Sequence, residues 1–474
     1  MSDRRYDPRL TRRSLLQQSC CGIGMVALAA LLDDVTARAA AAETAPNPLS
    51  PRPSHYPARA KRLIFLFMHG GISHIDTFDP KPMLRKMNGQ PLPIPKPKVQ
   101  FAETNNLLQS PWEFRNYGQS GLPISDLFPH LGTCADDLCM IRSLHGDQSA
   151  HGGAALQLHT GSGMFIRPSM GSWLVYGLGT ENRNLPGYVT ICPTLAHGGV
   201  QNFGSAFLPA WTQGTRIGNA SIPAVQAQLR NIRNPEVPRP LQRRQLDLLR
   251  QLDEEHLQRA GHDLRLEGQI ENFELAFRMQ TEAPELMDLS GESPETLKLY
   301  GIGEEPTDNF GRQCLLARRF AEKGVRVVQA SHSYKWDQHS RLREDHTKNA
   351  AEVDKPIAGL LKDLKSRGLL DDTLVLFGSE FGRTPTAQGT DGRDHNPHGF
   401  TAWLAGGGVK GGTAYGETDE WGYYAVKDKV HMNDLHATLL HLMGLEHTRL
   451  TYRHAGRDYR LTDVAGNVVK GILA

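Results

Sequence analysis

Residues 308–339 read DNFGRQCLLARRFAEKGVRVVQASHSYKWDQH. The first half predicts a helix from Asp308 to Lys323 that stops at Lys323-Gly324, and Val325-Arg-Val-Val opens a strand running to Ala330. A polar loop follows, carrying His332, Asp337 and His339. A helix feeding a strand that ends in ligand-type side chains is the unit of a doubly wound α/β sheet, where ligands collect at the carboxyl ends of the strands.

The same alternation runs along the chain in both directions. Strands are expected at Arg62 to Met68, Leu138 to Ser143, Gly187 to Ile191, Val325 to Ala330, Thr373 to Gly378 and Phe400 to Ala405. Helices are expected near 149–160, 170–178, 308–323, 350–367 and 433–443. That order argues for one α/β domain over residues 61–474 rather than a β-sandwich or a helical bundle. Residues 237–287 differ, being rich in Gln, Arg, Glu and Leu with apolar residues at helical spacing; two helices of an insert are expected there.

The first 39 residues read as an export signal to be set aside from the fold. Thr11-Arg-Arg-Ser-Leu-Leu-Gln17 resembles the twin-arginine signal, and Ala37-Arg38-Ala39 offers a cleavage site. The apolar run Cys20 to Leu32 has 13 residues, short of the about 20 that span a bilayer. Residues 40–60 are expected to be a flexible leader, and the mature chain to act in the periplasm or outside the cell. The 53 basic and 51 acidic side chains nearly balance, which argues against nucleic acid or an anionic membrane as partner and favours a small or polymeric neutral substrate. Beyond the signal only Cys134, Cys139, Cys192 and Cys314 remain, so this is no disulfide scaffold. A Cys134–Cys139 bridge and four separate buried thiols are the alternatives.

Chemistry-bearing residues gather in the loops at the strand ends. His69 and Asp76 follow the first strand, and Ser149 and His151 follow the second. His332, Asp337 and His339 follow the Ala330 strand, Glu380 and Arg383 follow Gly378, and Asp394, His395 and His398 precede the Phe400 strand. Imidazole and carboxylate together suit zinc, manganese or iron, as one ion or two. The ligands expected are Asp337, His339 and at least one of His395 and His398, with His69, Asp76 and Glu380 adding contacts. Glu380 could instead cap a following helix, and Ser149 could cap the helix near 149–160. The catalytic candidates are Ser149 as a placeholder nucleophile, His151 beside it, and Arg383 to neutralise developing charge. His55, His256, His262, His431, His436 and His441 are expected to be structural or solvated.

FMHGGISHIDTFDPKP (67–82), FGRQCLLARRFAEKGVRVVQ (310–329), WDQH (336–339), SEFGRTP (379–385), GRDHNPHGF (392–400), the glycine run 406–412 and the terminal YRLTDVAGNVVKGIL resemble the bacterial secreted family called domain of unknown function 1501. That family belongs to the alkaline phosphatase and sulfatase superfamily. The resemblance covers nearly all of the mature chain. It implies an alkaline phosphatase-like, three-layer α/β/α sandwich with a mixed, mostly parallel sheet, and metal-assisted hydrolysis of a phosphate or sulfate ester. This chain departs from the superfamily pattern: Asp337 and His339 are spaced by two rather than four, His69 stands where the first-strand Asp belongs, and Glu380-Phe381 replaces Asp-His. There is no Cys/Ser-x-Pro-x-Arg signature. The rival expectations are a secreted binding or assembly module that has lost turnover, and a metal-dependent enzyme modifying a polysaccharide.

Overall fold

The computed structural model describes residues 49–95, 104–229, 232, 237–260 and 264–474. The stretch expected to be an export signal, 1–39, and that expected to be a leader, as far as residue 48, lie outside the described residues. The insert region contains the helices Arg239–Ala260 and Leu264–Met287. The first of these, with the opening turns of the second, belongs to one unit; Leu49–Pro235 with Glu271–Ala474 forms another, which holds the sheet and the site.

The strands that matter here are, in chain order, β1 (Arg62–Met68), β2 (Leu138–His145), β3 (Tyr188–Ile191), β4 (Thr215–Ile217), β5 (Val327–His332), β6 (Thr373–Gly378), β7 (Gly382–Gln388), β8 (Gly392–Asn396), β9 (Phe400–Ala405), β10 (Thr413–Tyr415) and β11 (Val430–His431). Nine of them make one sheet in the order β10-β2-β9-β6-β1-β5-β3-β4, with β11 also paired to β2. β9 runs antiparallel to β6 and β2, and every other pairing in the sheet is parallel. β7 and β8 form a separate antiparallel hairpin. Because β9 is reversed, the hairpin leading into it opens on the same rim as the carboxyl ends of β1, β5 and β6.

Helices cover both faces of the sheet. Residues 63–68 of β1 are all buried, the continuous apolar run of a strand covered on both sides. Phe65 and Phe67 point to one face, where His159 of the helix His151–Thr160 packs on both rings at 5.5 and 4.7 Å between centroids. Met68 points to the other face in register with His332, and His332 meets Phe310 of the helix Asp308–Glu322. The expected three layers are therefore present, and burial of rings such as Phe65 and Phe67 contributes about 1.5–3 kcal/mol each.

Three strands, β1, β6 and β9, have the bounds expected from sequence. The Asp308–Glu322 helix stops at Lys323 as expected: Gly324 takes φ +86°, and the Val325 amide returns to the Phe320 carbonyl at 3.0 Å. β5 begins two residues later than expected, because its backbone pairing with β1 and β3 starts at Val327; the Arg326 side chain before it bonds the Lys61 and Gly179 carbonyls. The strand also ends two residues later than expected, so His332 is its last residue and not a loop residue. No helix follows Glu380; β7 does. The four cysteines are buried and unbridged. No helix among the described residues is long and apolar enough to cross a membrane.

Candidate metal centre

Five strand ends and one hairpin supply the centre. His69 directly follows β1, and His151 opens the helix after β2. His197 lies beyond β3, while Tyr334, Asp337 and His339 lie in the loop after β5. Glu380 follows β6, and His395 is carried by β8, next to a break in register between Arg393 and His395. Such irregularities re-aim side chains beside functional sites.

The ligand atoms of His151, Asp337, His339 and His395 all lie within 4.8 Å of one another. Asp337 Oδ1 is the focus, 2.9 Å from His339 Nε2 and 3.2 Å from both His151 Nε2 and His395 Nε2. The outer nitrogens of the three rings face acceptors: His395 Nδ1 meets the Ser149 carbonyl at 2.7 Å, His151 Nδ1 meets Glu380 Oε1 at 2.7 Å, and His339 Nδ1 meets Gln388 Oε1. An acceptor needs a proton on that nitrogen, so each neutral ring presents an Nε2 lone pair to the carboxylate. Three lone pairs facing one anionic oxygen repel unless a cation sits among them. His151 Nε2 is buried and lacks an aligned hydrogen-bond partner. Carbonyl and carboxylate partners on the outer nitrogens are the arrangement that orients metal-ligating imidazoles. These residues fit a transition metal, with three nitrogens and one oxygen.

Electrostatics agree with that geometry at Asp337 and His395, whereas at His151 the two facing carboxylates favour a proton in the absence of a cation. Burial would raise the Asp337 pKa, but the facing imidazoles of His151, His339 and His395 and the Arg383 charge hold it far below the carboxylate range. Burial pushes His395 down to about 4, so its ring is neutral near pH 7. For His151, burial favours the neutral ring, yet the bonds to Asp337 and Glu380 outweigh it and raise the pKa.

A second group adjoins the first. The ligand atoms of His69, His151 and His197 also lie within 4.8 Å of one another. Glu380, fully buried, accepts from the Gly70 amide at 3.0 Å and stands 3.7 Å from His69 Nε2. Tyr334 closes over both groups: its ring lies 4.7 Å from that of His197 and 5.1 Å from that of His69, and its hydroxyl donates to Asp337 Oδ2 at 3.1 Å.

Other expected site residues lie elsewhere or act differently. Asp76 is fully buried in an ion pair with Arg393, at 2.8 and 3.1 Å, and accepts from Ser73; it joins neither group. His398 packs against Tyr424 with 5.4 Å between centroids and also stays outside. Arg383 cannot meet a substrate, because its guanidinium is fully buried on the carbonyls of Gly70, Gly71, Trp336 and Arg393 and on Asp337. It positions Asp337 and the His69 turn instead. Ser149 offers His395 its carbonyl, and the residue at the helix N-cap is Ala150. His332 is held between Trp336 Nε1 at 2.9 Å and Glu352 at 2.8 Å, with no nitrogen left for an ion. Asp394 stands behind His339, with 3.9 Å between Oδ1 and Nδ1.

The His69 turn admits only glycine at its first position. Gly70 has φ +121°, and a Cβ there would fall 2.7 Å from the Trp336 amide nitrogen and 2.8 Å from that of Asp337. Gly70→Ala is expected to cost about 1–3 kcal/mol of stability and to lower metal occupancy, read by thermal melting and elemental analysis. Unchanged values for both would mean that the turn does not set the Asp337 loop.

His197 and Tyr334 are absent from the sequence expectations. The rule that found the other loops applies equally to the loop after Ile191, and His197-Gly-Gly repeats the tripeptides His69-Gly-Gly and His151-Gly-Gly.

Among solved structures, the chain is similar to the lipoteichoic acid synthase LtaP from Listeria monocytogenes, at 10% identity over 92% of this chain and 81% of that one, with a TM-score of 0.37. It is also similar to alkaline phosphatase from the Antarctic bacterium TAB5 (9% identity, 81% and 98% covered, TM-score 0.32). A third is the PsFucS1 sulfatase from Pseudoalteromonas sp. (12%, 82% and 68%, 0.33). At such identities and scores these likenesses say nothing of this chain's chemistry. No curated protein matches the chain. The family model described as Protein of unknown function (DUF1501) matches residues 60–473, and the chain belongs to that family.

Proposed function

We propose that this chain is an exported, metal-dependent hydrolase of phosphate or sulfate esters, borne by a small molecule or a polysaccharide. The observation that carries the metal is the convergence of His151, His339 and His395 on Asp337, each ring with its outer nitrogen on an acceptor. Zinc, manganese or iron suits that donor set. A bound ion would supply Lewis acidity toward an ester oxygen.

The chain's own groups favour an anionic substrate. The helix His151–Thr160 starts at the centre, so its amino-terminal N–H groups and the positive end of its dipole lie beside the ligands. Gly152 in its first turn meets nothing within 4 Å of where a Cβ would be, which leaves room for close backbone approach. Tyr334 is 44% exposed at the mouth, and burial with the nearby Asp337 carboxylate pushes its phenol up to about 12. It stays protonated at neutral pH, and its hydroxyl, turned from Asp337 Oδ2, can give its proton in a hydrogen bond to an ester oxygen.

Elemental analysis of the purified mature protein, followed by a panel of aryl phosphates and aryl sulfates, tests the reading. The expected result is at least one transition-metal ion per chain and turnover abolished by chelator. A metal-loaded protein that leaves the whole panel untouched, yet binds a polysaccharide or protein tightly, would instead be a non-catalytic module. Export rests on Arg12-Arg13 and the Ala37-Arg38-Ala39 site. Changing both arginines to lysine should keep the chain inside the cell, and unchanged export of that variant would refute the twin-arginine route.

A further inference from the structure

We propose that the apolar loop Met164-Phe165-Ile166 docks the mouth of the metal centre onto a lipid surface, and that the ester taken there is carried on the head group of an amphiphile. Met164, Phe165 and Ile166 are 79%, 60% and 64% exposed, three large apolar side chains in a row. Single exposed apolar residues are ordinary, whereas a contiguous group marks an interaction surface. The place of the loop in the fold ties it to the centre. The chain leaves the helix His151–Thr160 at Gly161, where φ is +74°, and turns back along it. At Gly163 it lies against Gln148 and Gly153: a Cβ there would fall 2.5 Å from Gln148 Cγ and 2.9 Å from the Gly153 carbonyl oxygen. Those two residues bracket Ser149, which holds His395, and His151, which faces Asp337. The loop ends at Ser169, whose amide donates to the Gly204 carbonyl at 2.9 Å, beside the 3₁₀ turn Gly199–Phe203. Leu195 and Val200, both more than half exposed, lie two residues before and three after His197, and Tyr334 at the mouth is exposed as well.

What lies behind the tip selects a lipid surface over a protein partner. Arg167 closes the loop, with its guanidinium carbon 5.4 Å from the centre of the Phe165 ring and 4.3 Å from that of Tyr459. Among the described residues no carboxylate pairs with it. Phe207 stacks on His454 at 4.8 Å and meets Tyr459 at 4.9 Å, which extends the aromatic belt. An apolar tip backed by aromatic rings and an unopposed guanidinium follows the order of a lipid layer, acyl chains first and head-group phosphates behind them. A stable protein partner would need a broad complementary face instead, and the tip is three residues of one loop. No helix among the described residues is long and apolar enough to cross a membrane, so the contact is peripheral. The near balance of 53 basic and 51 acidic side chains makes apolar insertion, rather than net charge, its driving force.

The amphiphilic substrate rests on the hydrolase reading; the docking surface does not. Metal-loaded, full-length mature protein is mixed with phosphatidylcholine vesicles and floated on a density gradient, in low salt and in about 1 M salt, where the Debye length is about 3 Å. It is expected to float with the vesicles in both. Met164→Ser/Phe165→Ser/Ile166→Ser changes only exposed positions, so circular dichroism should show the fold kept, while vesicle affinity falls by about tenfold or more. On any soluble aryl ester that the wild type hydrolyses, the triple variant should match it. On the same ester group carried by a long alkyl chain in vesicles it should fall by about tenfold, through KM rather than kcat. Wild type that stays in solution, or a triple variant that floats equally well, would overturn the docking surface and leave the hydrolase reading intact. Equal rates on the vesicle-borne ester would overturn the amphiphilic substrate. Wild type that floats but hydrolyses no ester would refute the hydrolase reading, and the substrate with it, while the docking surface stands. A triple variant that only turns an oligomer into monomers, with vesicle binding by neither protein, would give the loop to a second copy of this chain and overturn the proposal.

Discussion

Asp337→Ala is expected to leave the protein folded but nearly free of metal at the centre and without the hydrolytic activity proposed for it. Asp337 Oδ1 is the only carboxylate oxygen among the four grouped ligands, and the three imidazoles and Arg383 all converge on it. Loss of an outer hydrogen-bond partner of a metal ligand typically costs 10–100-fold in affinity. Removal of the anionic ligand itself should exceed that, because it also leaves the Arg383 charge pointing at the cation. Gln388→Ala, which removes only the partner of His339 Nδ1, should show the smaller loss. Isothermal titration with Zn²⁺ on both variants decides the matter. An Asp337→Ala protein that binds as tightly as wild type would sink the assignment of that residue. The side chain lies in a polar loop and is 18% exposed, so the core should survive its loss.

Asp76→Ala is expected to act on stability and not on metal. Its carboxylate and the Arg393 guanidinium are both fully buried, and removal of one partner strands the other charge. Breaking such a pair costs about 3–5 kcal/mol, a large part of the roughly 5–15 kcal/mol that holds a domain together. Urea unfolding should show this loss, and Asp76→Ala/Arg393→Met should recover much of it. The pH dependence has a definite sign. Burial would raise the Asp76 pKa, but the Arg393 charge and the Arg393 and Ser73 hydrogen bonds lower it overall. Its contribution is therefore present above the ordinary aspartate value and is lost as pH falls toward the folded-state value; Asp76→Asn should flatten that part of the acid limb. Metal content that fell with Asp76→Ala while the fold held would restore Asp76 as a ligand.

Local chemistry in the sequence was enough for the layers of the fold. β1, β6 and β9 are continuous apolar runs bounded by polar or glycine residues, and the Asp308–Glu322 helix ends on Lys-Gly, so each is specified by neighbours within a few positions. Reading the loops at the carboxyl ends of the strands likewise located Asp337, His339, Glu380, His395, His69 and His151, because a parallel sheet sends those loops to one rim. His197 was legible in principle as the third His-Gly-Gly tripeptide.

Which of those side chains meet was decided by tertiary structure. Asp76 and Asp337 are both loop aspartates after a buried strand, yet one faces a guanidinium from β8 and the other three imidazoles. That partition depends on the β7–β8 hairpin and its break in register, which carries Arg393 to Asp76 and His395 to Asp337. His332 changed role for a similar reason: β5 is shifted two residues along the chain, to Val327–His332, which puts His332 in the strand with its ring against Phe310. Periodicity and turn residues are local and survive in a one-dimensional string. Ligand convergence depends on strand register and on contacts between residues as far apart as His69 and Glu380, and it is set only when the sheet closes.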